Sequence, residues 1–188
     1  MKTRPAGTRT EIRLAGEGGQ GMILAGIILA EAAAIYDGKK AVQSQSYGPE
    51  ARGGASRSEV IISDEEIDFP EVILPDILVA LSQMAYDKYS GNLSPDGLLI
   101  VDEERVKIVS SKNAVRLPVG RIAQETTGKA ITANTVALGI LVGLTGLVSR
   151  LALEKAVQAH APRGTEAMNS KALQAGFEQA EGVGTLRG

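Results

Sequence analysis

Two periodicities alternate along the chain. Polar and apolar positions alternate over residues 10–15 (TEIRLA), which predicts a first strand running into Gly16-Glu17-Gly18-Gly19-Gln20-Gly21. Residues 22–36 are rich in Ala, Leu and Ile and lack Pro. They predict a helix buried on most sides and stopped by Asp37-Gly38. Strands are predicted over 40–46 and 56–63 (SRSEVIIS), the second ending at Asp64-Glu65-Glu66. Residues 76–82 (DILVALS) form the short apolar run expected of a parallel strand buried on both faces. A helix over 83–89, a turn at 92–97, a strand over 98–102, a shorter strand over 114–119 and a helix over 120–127 follow. Beyond residue 132 the pattern is helical, over about 132–149, 150–161 and 165–181, with Pro162-Arg163-Gly164 between the last two.

Strands alternating with helices predict an α/β fold, a three-layer sandwich with a largely parallel central sheet and a helical C-terminal part packed on one side. No linker interrupts the pattern, so residues 1–188 are expected to form a single domain, with 1–9 as a flexible N-terminal tail. Residues 131–149 carry no charge and are long enough to span a bilayer. They contain Asn134, three Thr and three Gly, and lack basic or aromatic anchors, which favours a buried helix. No apolar stretch precedes the first strand, which reads as the absence of a signal peptide and places the chain in the cytoplasm.

Composition narrows the chemistry. Twenty Lys and Arg against 22 Asp and Glu give a net charge of -2, and aromatics are only 3% with no Trp, which argues against a nucleic-acid surface. The chain has no Cys, so it can hold no disulfide, thiolate-ligated zinc or cysteine-bound iron–sulfur cluster. Its one histidine, His160, cannot build a multi-histidine metal site and reads as a solvated side chain near a helix end. No metal site and no catalytic constellation is expected. The clusters Asp64-Glu65-Glu66 and Asp102-Glu103-Glu104 read as solvated turns.

Gly16-x-Gly18-x-x-Gly21 lies between a predicted strand and a predicted helix, the context of a dinucleotide-binding turn. Glycines permit a tight turn, and the helix beyond presents free N–H groups to an anion. The nicotinamide fingerprint also needs an acid at the end of the second strand, which here reads Gln43-Ser44-Gln45-Ser46. No Lys follows Gly21, so the P-loop pattern fails as well. Two readings stay open for Gly16, Gly18, Gly19, Gln20 and Gly21: a turn that allows tight strand–helix packing, or an anion- or subunit-contact loop.

A second loop is denser in special backbone residues. Tyr47, Gly48, Pro49, Glu50, Ala51, Arg52, Gly53 and Gly54 follow a strand at the edge where parallel sheets place ligands. Arg52 could hold a carboxylate or phosphate through paired hydrogen bonds. It could equally pair internally with Glu50 or Glu59. Further on, Gly139, Gly143 and Gly146 are spaced to share one helix face, which predicts close approach of another backbone, either the sheet of this domain or a helix of a partner.

Taken together, GEGGQG, QSYGPEARGG, NTVALGILVGLTGLVS and the closing stretch NSKALQAGFEQA around Asn169, Ala172 and Gly176 resemble the gamma subunit of the 2-oxoacid:ferredoxin oxidoreductases. The resemblance covers about residues 10–181. It implies a complex that decarboxylates a 2-oxoacid oxidatively, forms an acyl-CoA and passes electrons to ferredoxin. 2-Oxoglutarate is the first choice of substrate, with pyruvate and branched-chain oxoacids behind it. Thiamine diphosphate and the iron–sulfur clusters would lie in or between alpha-, beta- and ferredoxin-like delta-type partner subunits, and CoA would be the acyl acceptor. This chain would act as scaffold and site-completing partner, inactive alone, with the loop from Tyr47 to Gly54 facing a partner or CoA. The reading from the residues alone that competes with it is a phosphate- or nucleotide-binding regulatory module.

Overall fold

The computed structural model describes residues 9–46, 54–111 and 114–186. Six strands, β1 (Thr10–Glu17), β2 (Lys40–Ser46), β3 (Ala55–Ser63), β4 (Ile77–Ala80), β5 (Leu98–Asp102) and β6 (Val115–Leu117), make one sheet in the order β2-β3-β1-β4-β5-β6. The pairs β1–β4, β4–β5 and β5–β6 are parallel, whereas β3 runs antiparallel to both β1 and β2. The sheet is thus mixed and mostly parallel, reversed only at β3. The predicted loop between β2 and β3 makes this possible, since a short connection can join antiparallel neighbours but not parallel ones.

The helices are α1 (Met22–Glu31), α2 (Gln83–Tyr89), α3 (Val119–Thr127), α4 (Ala133–Thr145), α5 (Arg150–His160) and α6 (Glu166–Leu186). Alternation along the strands builds two cores of unequal size. Ile12, Leu14, Val60, Ile62, Ile77, Val79 and Ile100 face α1 and α3–α6, where they meet Ile28, Leu29, Val136, Ile140, Leu173 and Phe177. Ala15, Leu78, Ala80, Leu99 and Val101 face the other way, onto Ala85, Tyr86 and Tyr89 of α2. The sandwich has three layers, and the layer of α2 is thin.

Several predicted boundaries move for local reasons. The helix predicted over 22–36 is α-helical only to Glu31 and ends in a π-helical turn, Ala32–Tyr36. The helix predicted over 132–149 stops at Thr145, because Gly146 adopts φ 63 and caps it. Ser149 then starts α5 by accepting a hydrogen bond from the Ala152 N–H, and its own N–H and hydroxyl reach the Asp37 carboxylate at 2.6 and 2.7 Å. α4 is buried along Ala133 to Val142, in keeping with its apolar composition. Among the described residues, no helix is long and apolar enough to cross a membrane.

Candidate functional site

The glycine loop follows β1 without a break and feeds α1. Gln20 ties it down: its carbonyl Oε1 accepts from the Glu17 N–H at 2.6 Å, and its Nε2 donates to the Leu81 carbonyl at 3.0 Å. Glycine at position 16 leaves room for that side chain, since a Cβ there would lie 2.5 Å from Gln20 Oε1. Gly19 and Gly21 adopt φ 90 and 71, a region closed to most side chains. At Gly21 a Cβ would also fall 2.6 Å from Asn134 Nδ2, so the start of α1 is pressed against the start of α4. Gly18 and Gly19 are exposed and have open space where a side chain would stand.

The topology bears on the dinucleotide reading. In that motif the second strand lies beside the first, so an acid at its end can reach the ribose. Here β3 is inserted between β1 and β2, and β2 is an edge strand. The unit that follows the glycine loop therefore lacks both the acid and the strand adjacency. Of the second predicted loop, Tyr47, Gly48, Pro49, Glu50, Arg52 and Gly53 lie outside the described residues. Gly54 is half-buried and leads into β3. Glu59, one suggested partner for Arg52, is buried and engaged by Arg13 and Arg57.

The three glycines predicted on one helix face separate. Gly139 and Gly143 lie in α4 and both face α6; Gly146 lies beyond the helix as its cap. A Cβ on Gly139 would sit 2.4 Å from the Leu173 carbonyl oxygen, and one on Gly176 of α6 would sit 2.3 Å from the Val136 carbonyl oxygen. The two glycines face each other across the crossing, so the close approach is to a helix of the same chain rather than to the sheet or to a partner helix as expected. Gly176 was not predicted in this role. Neither was Gly26 of α1, whose Cβ would meet Ser58 Oγ of β3 at 2.0 Å.

Two charged positions also differ from expectation. His160 is not freely solvated: its Nε2 lies 2.6 Å from Glu31 Oε2, tying the end of α5 to the end of α1. Asp102 is not a solvated turn residue but is 1% exposed, and its carboxylate accepts from the Glu104 and Gly120 N–H groups at 3.0 and 2.8 Å. The turn at Asp64-Glu65-Glu66 does lie at the surface, with exposed pairs Lys39–Asp64 and Lys40–Glu66. Among the described residues no group of His, Cys, Asp and Glu could hold a metal ion.

Sequence reasoning also missed a polar cluster on the α2 face. Arg13 and Glu59 stand opposite each other in the β1–β3 register, 2.7 Å apart from Arg13 Nε to Glu59 Oε1. Arg57 lies one same-face position along β3, and both guanidinium groups approach the Tyr89 ring, at 5.4 and 5.6 Å from its centroid. Opposite charges at buried strand positions, Arg13 and Glu59, were the available signal. Only the antiparallel pairing of β1 with β3 brings them together.

Comparison with known proteins places this architecture. The sequence profile of pyruvate ferredoxin/flavodoxin oxidoreductases matches residues 11–179. The 2-oxoglutarate synthase subunit KorC of Methanocaldococcus jannaschii is 53% identical over 185 residues, spanning 96% of this chain and 99% of the relative. The ketoisovalerate oxidoreductase subunit VorA of Methanothermobacter marburgensis is 37% identical over 148 residues, or 76% of this chain but only 30% of its own. The crystal structure of a keto/oxoacid ferredoxin oxidoreductase gamma subunit from Geobacter sulfurreducens superposes with a TM-score of 0.82 at 52% identity, covering 92% of this chain and 99% of that one. The chain belongs to the pyruvate ferredoxin/flavodoxin oxidoreductase family.

Proposed function

We propose that the chain is the gamma subunit of a multi-subunit 2-oxoglutarate:ferredoxin oxidoreductase, and that it completes a catalytic centre carried largely by its partners. The observation that carries this reading is the end-to-end match to KorC, 53% identical over nearly the full length of both chains. The pyruvate- and ketoisovalerate-type relatives are more distant, at 33% and 37% identity, which favours 2-oxoglutarate over their substrates. A phosphate- or nucleotide-binding regulatory module would share the glycine loop but has no support from these relatives.

In the complex, 2-oxoglutarate loses CO2, its acyl group passes to CoA, and the two electrons released pass to ferredoxin. Thiamine diphosphate supplies the carbanion chemistry of such a decarboxylation. With no Cys, this chain cannot ligate the clusters of the electron path, so those belong to alpha-, beta- and delta-type partners. Its own contribution is shape. Gln20 fixes the loop between β1 and α1, leaving exposed Gly18 and Gly19 as the contact point for a partner or an anionic group such as a CoA phosphate. The loop carrying Tyr47, Gly48, Pro49, Glu50, Arg52, Gly53 and Gly54 has the same assignment.

The test is reconstitution. Co-expressed with the neighbouring alpha-, beta- and delta-type chains, the protein should co-purify and support CoA-dependent ferredoxin reduction with 2-oxoglutarate. The isolated chain should show none. Faster turnover with pyruvate or 2-oxoisovalerate would refute the substrate assignment, and dye reduction by the isolated chain would refute the division of labour.

A further inference from the structure

The Arg13–Glu59–Arg57 cluster is short of negative charge. Arg13 is 3% exposed and spends its Nε and Nη2 on Glu59 and the Val72 carbonyl, while its Nη1 has no acceptor. Arg57 is in a different state. Its Nε is buried without an acceptor, Glu59 Oε2 is no closer than 3.7 Å, and the side chain is 34% exposed. Lys88 adds a third cation, 5.5 Å from the same Tyr89 ring. Glu17 shares this face of β1, yet makes no ion pair with Arg57 among the described residues. Arg13 and Arg57 thus share the Glu59 carboxylate, whose shorter contacts go to Arg13.

Buried guanidinium N–H groups are normally paired, and a planar fork held in place by packing suits a carboxylate. Arg57 is held by the Tyr89 ring behind it and by its strand. The Arg57 side chain is 34% exposed and stands opposite Ser46, the exposed last residue of β2, in the β2–β3 register. The clefts between α5 and α6 and beside Thr126 of α3 are lined by Glu154, Gln158, Ser170 and Gln174 and include no residue of this cluster. The ketoisovalerate relative carries the matched segment within a chain of which it makes up only 30%, so the same fold there is joined to a much larger body.

From these observations we infer that Arg57, backed by Tyr89 and the Arg13–Glu59 pair, is a docking point for an acidic side chain of a partner subunit. The inference rests on the subunit reading above. The partner carboxylate would accept hydrogen bonds from the Arg57 guanidinium.

The experiment measures affinity between this chain and its co-purifying partner subunits, with ferredoxin reduction by the wild-type complex as the reference. Arg57→Gln should weaken association about 10-fold or more, the size of one charge-assisted hydrogen-bonding pair. Arg57→Glu should weaken it further, and Arg57→Lys should restore only part because an ammonium lacks the fork. Arg57→Gln should also flatten the salt dependence of association. The isolated Arg57→Gln chain should still fold and melt cooperatively within about 4 °C of wild type, since among the described residues the Arg57 side chain donates no hydrogen bond and its pair with Glu59 is long at 3.7 Å. Unchanged affinity for both Arg57→Gln and Arg57→Glu, with a wild-type complex that assembles and turns over, would overturn the docking site alone. A wild-type chain that binds no partner would overturn this inference and the functional reading together. Stabilisation of the isolated chain by inorganic phosphate, lost in Arg57→Gln, would overturn the partner side chain in favour of a free anion.

Discussion

Alanine at Gly176 should destabilise the chain, whereas alanine six residues later in the same helix should stabilise it. At Gly176 the added Cβ would lie 2.3 Å from the Val136 carbonyl oxygen, 2.9 Å from Gly139 Cα and 3.0 Å from Ile140 N, all backbone atoms of α4. Neither helix can relieve this by turning a side chain, so α4 and α6 must move apart in the middle of the main core. Overpacking costs about 1–3 kcal/mol, and rigid backbone on the receiving side places this site near the top, about 3 kcal/mol. Replacing a mid-helix Gly returns about 1 kcal/mol of helix propensity. The net is a loss of about 2 kcal/mol, or about 4–8 °C in Tm for a chain of this size.

Gly182 is the internal control. It lies in α6, is exposed, and has open space where the Cβ would stand. Gly182→Ala should therefore gain about 0.5–1 kcal/mol and raise Tm by about 1–4 °C. Circular dichroism or scanning calorimetry on the isolated chain measures both. If Gly176→Ala melts at or above wild type, the helix crossing is not close enough to demand glycine, and the reasoning fails.

Two further perturbations test how the loops are held. Gln20→Ala should remove both bonds that fix the glycine loop, costing about 1–2 kcal/mol and speeding hydrogen exchange at the Glu17 amide; unchanged exchange there would refute the tether. Asp102→Asn keeps only one acceptor for the two N–H groups that Asp102 serves, from Glu104 and Gly120, and should cost about 1–3 kcal/mol in urea unfolding; an unmoved midpoint would show that the buried carboxylate does not organise the start of α3.

Most elements were legible in the chain because local chemistry decides them. The apolar run over 76–82 needs burial on both faces, which only an interior strand provides, and β4 is that strand. Ser82 and the residues after it start α2 by a local cap, independent of the rest of the fold. The loop sequences and their order were enough to suggest the family, which the profile match over residues 11–179 bears out.

What the chain alone left open depends on which elements meet. The spacing of Gly139, Gly143 and Gly146 shows a small-residue face but not that α6 lies on it, and it hides that Gly146 turns left-handed and ends the helix. Arg13, Glu59, Arg57 and Tyr89 come from three elements up to 76 positions apart, so no local pattern relates them. The insertion of β3 between β1 and β2 is likewise invisible in any window of sequence, yet it removes the strand adjacency that a dinucleotide site requires. The sequence set the period of each segment through side-chain polarity. Partner choice between segments was decided by tertiary packing, because strand pairing and helix crossing join groups distant along the chain.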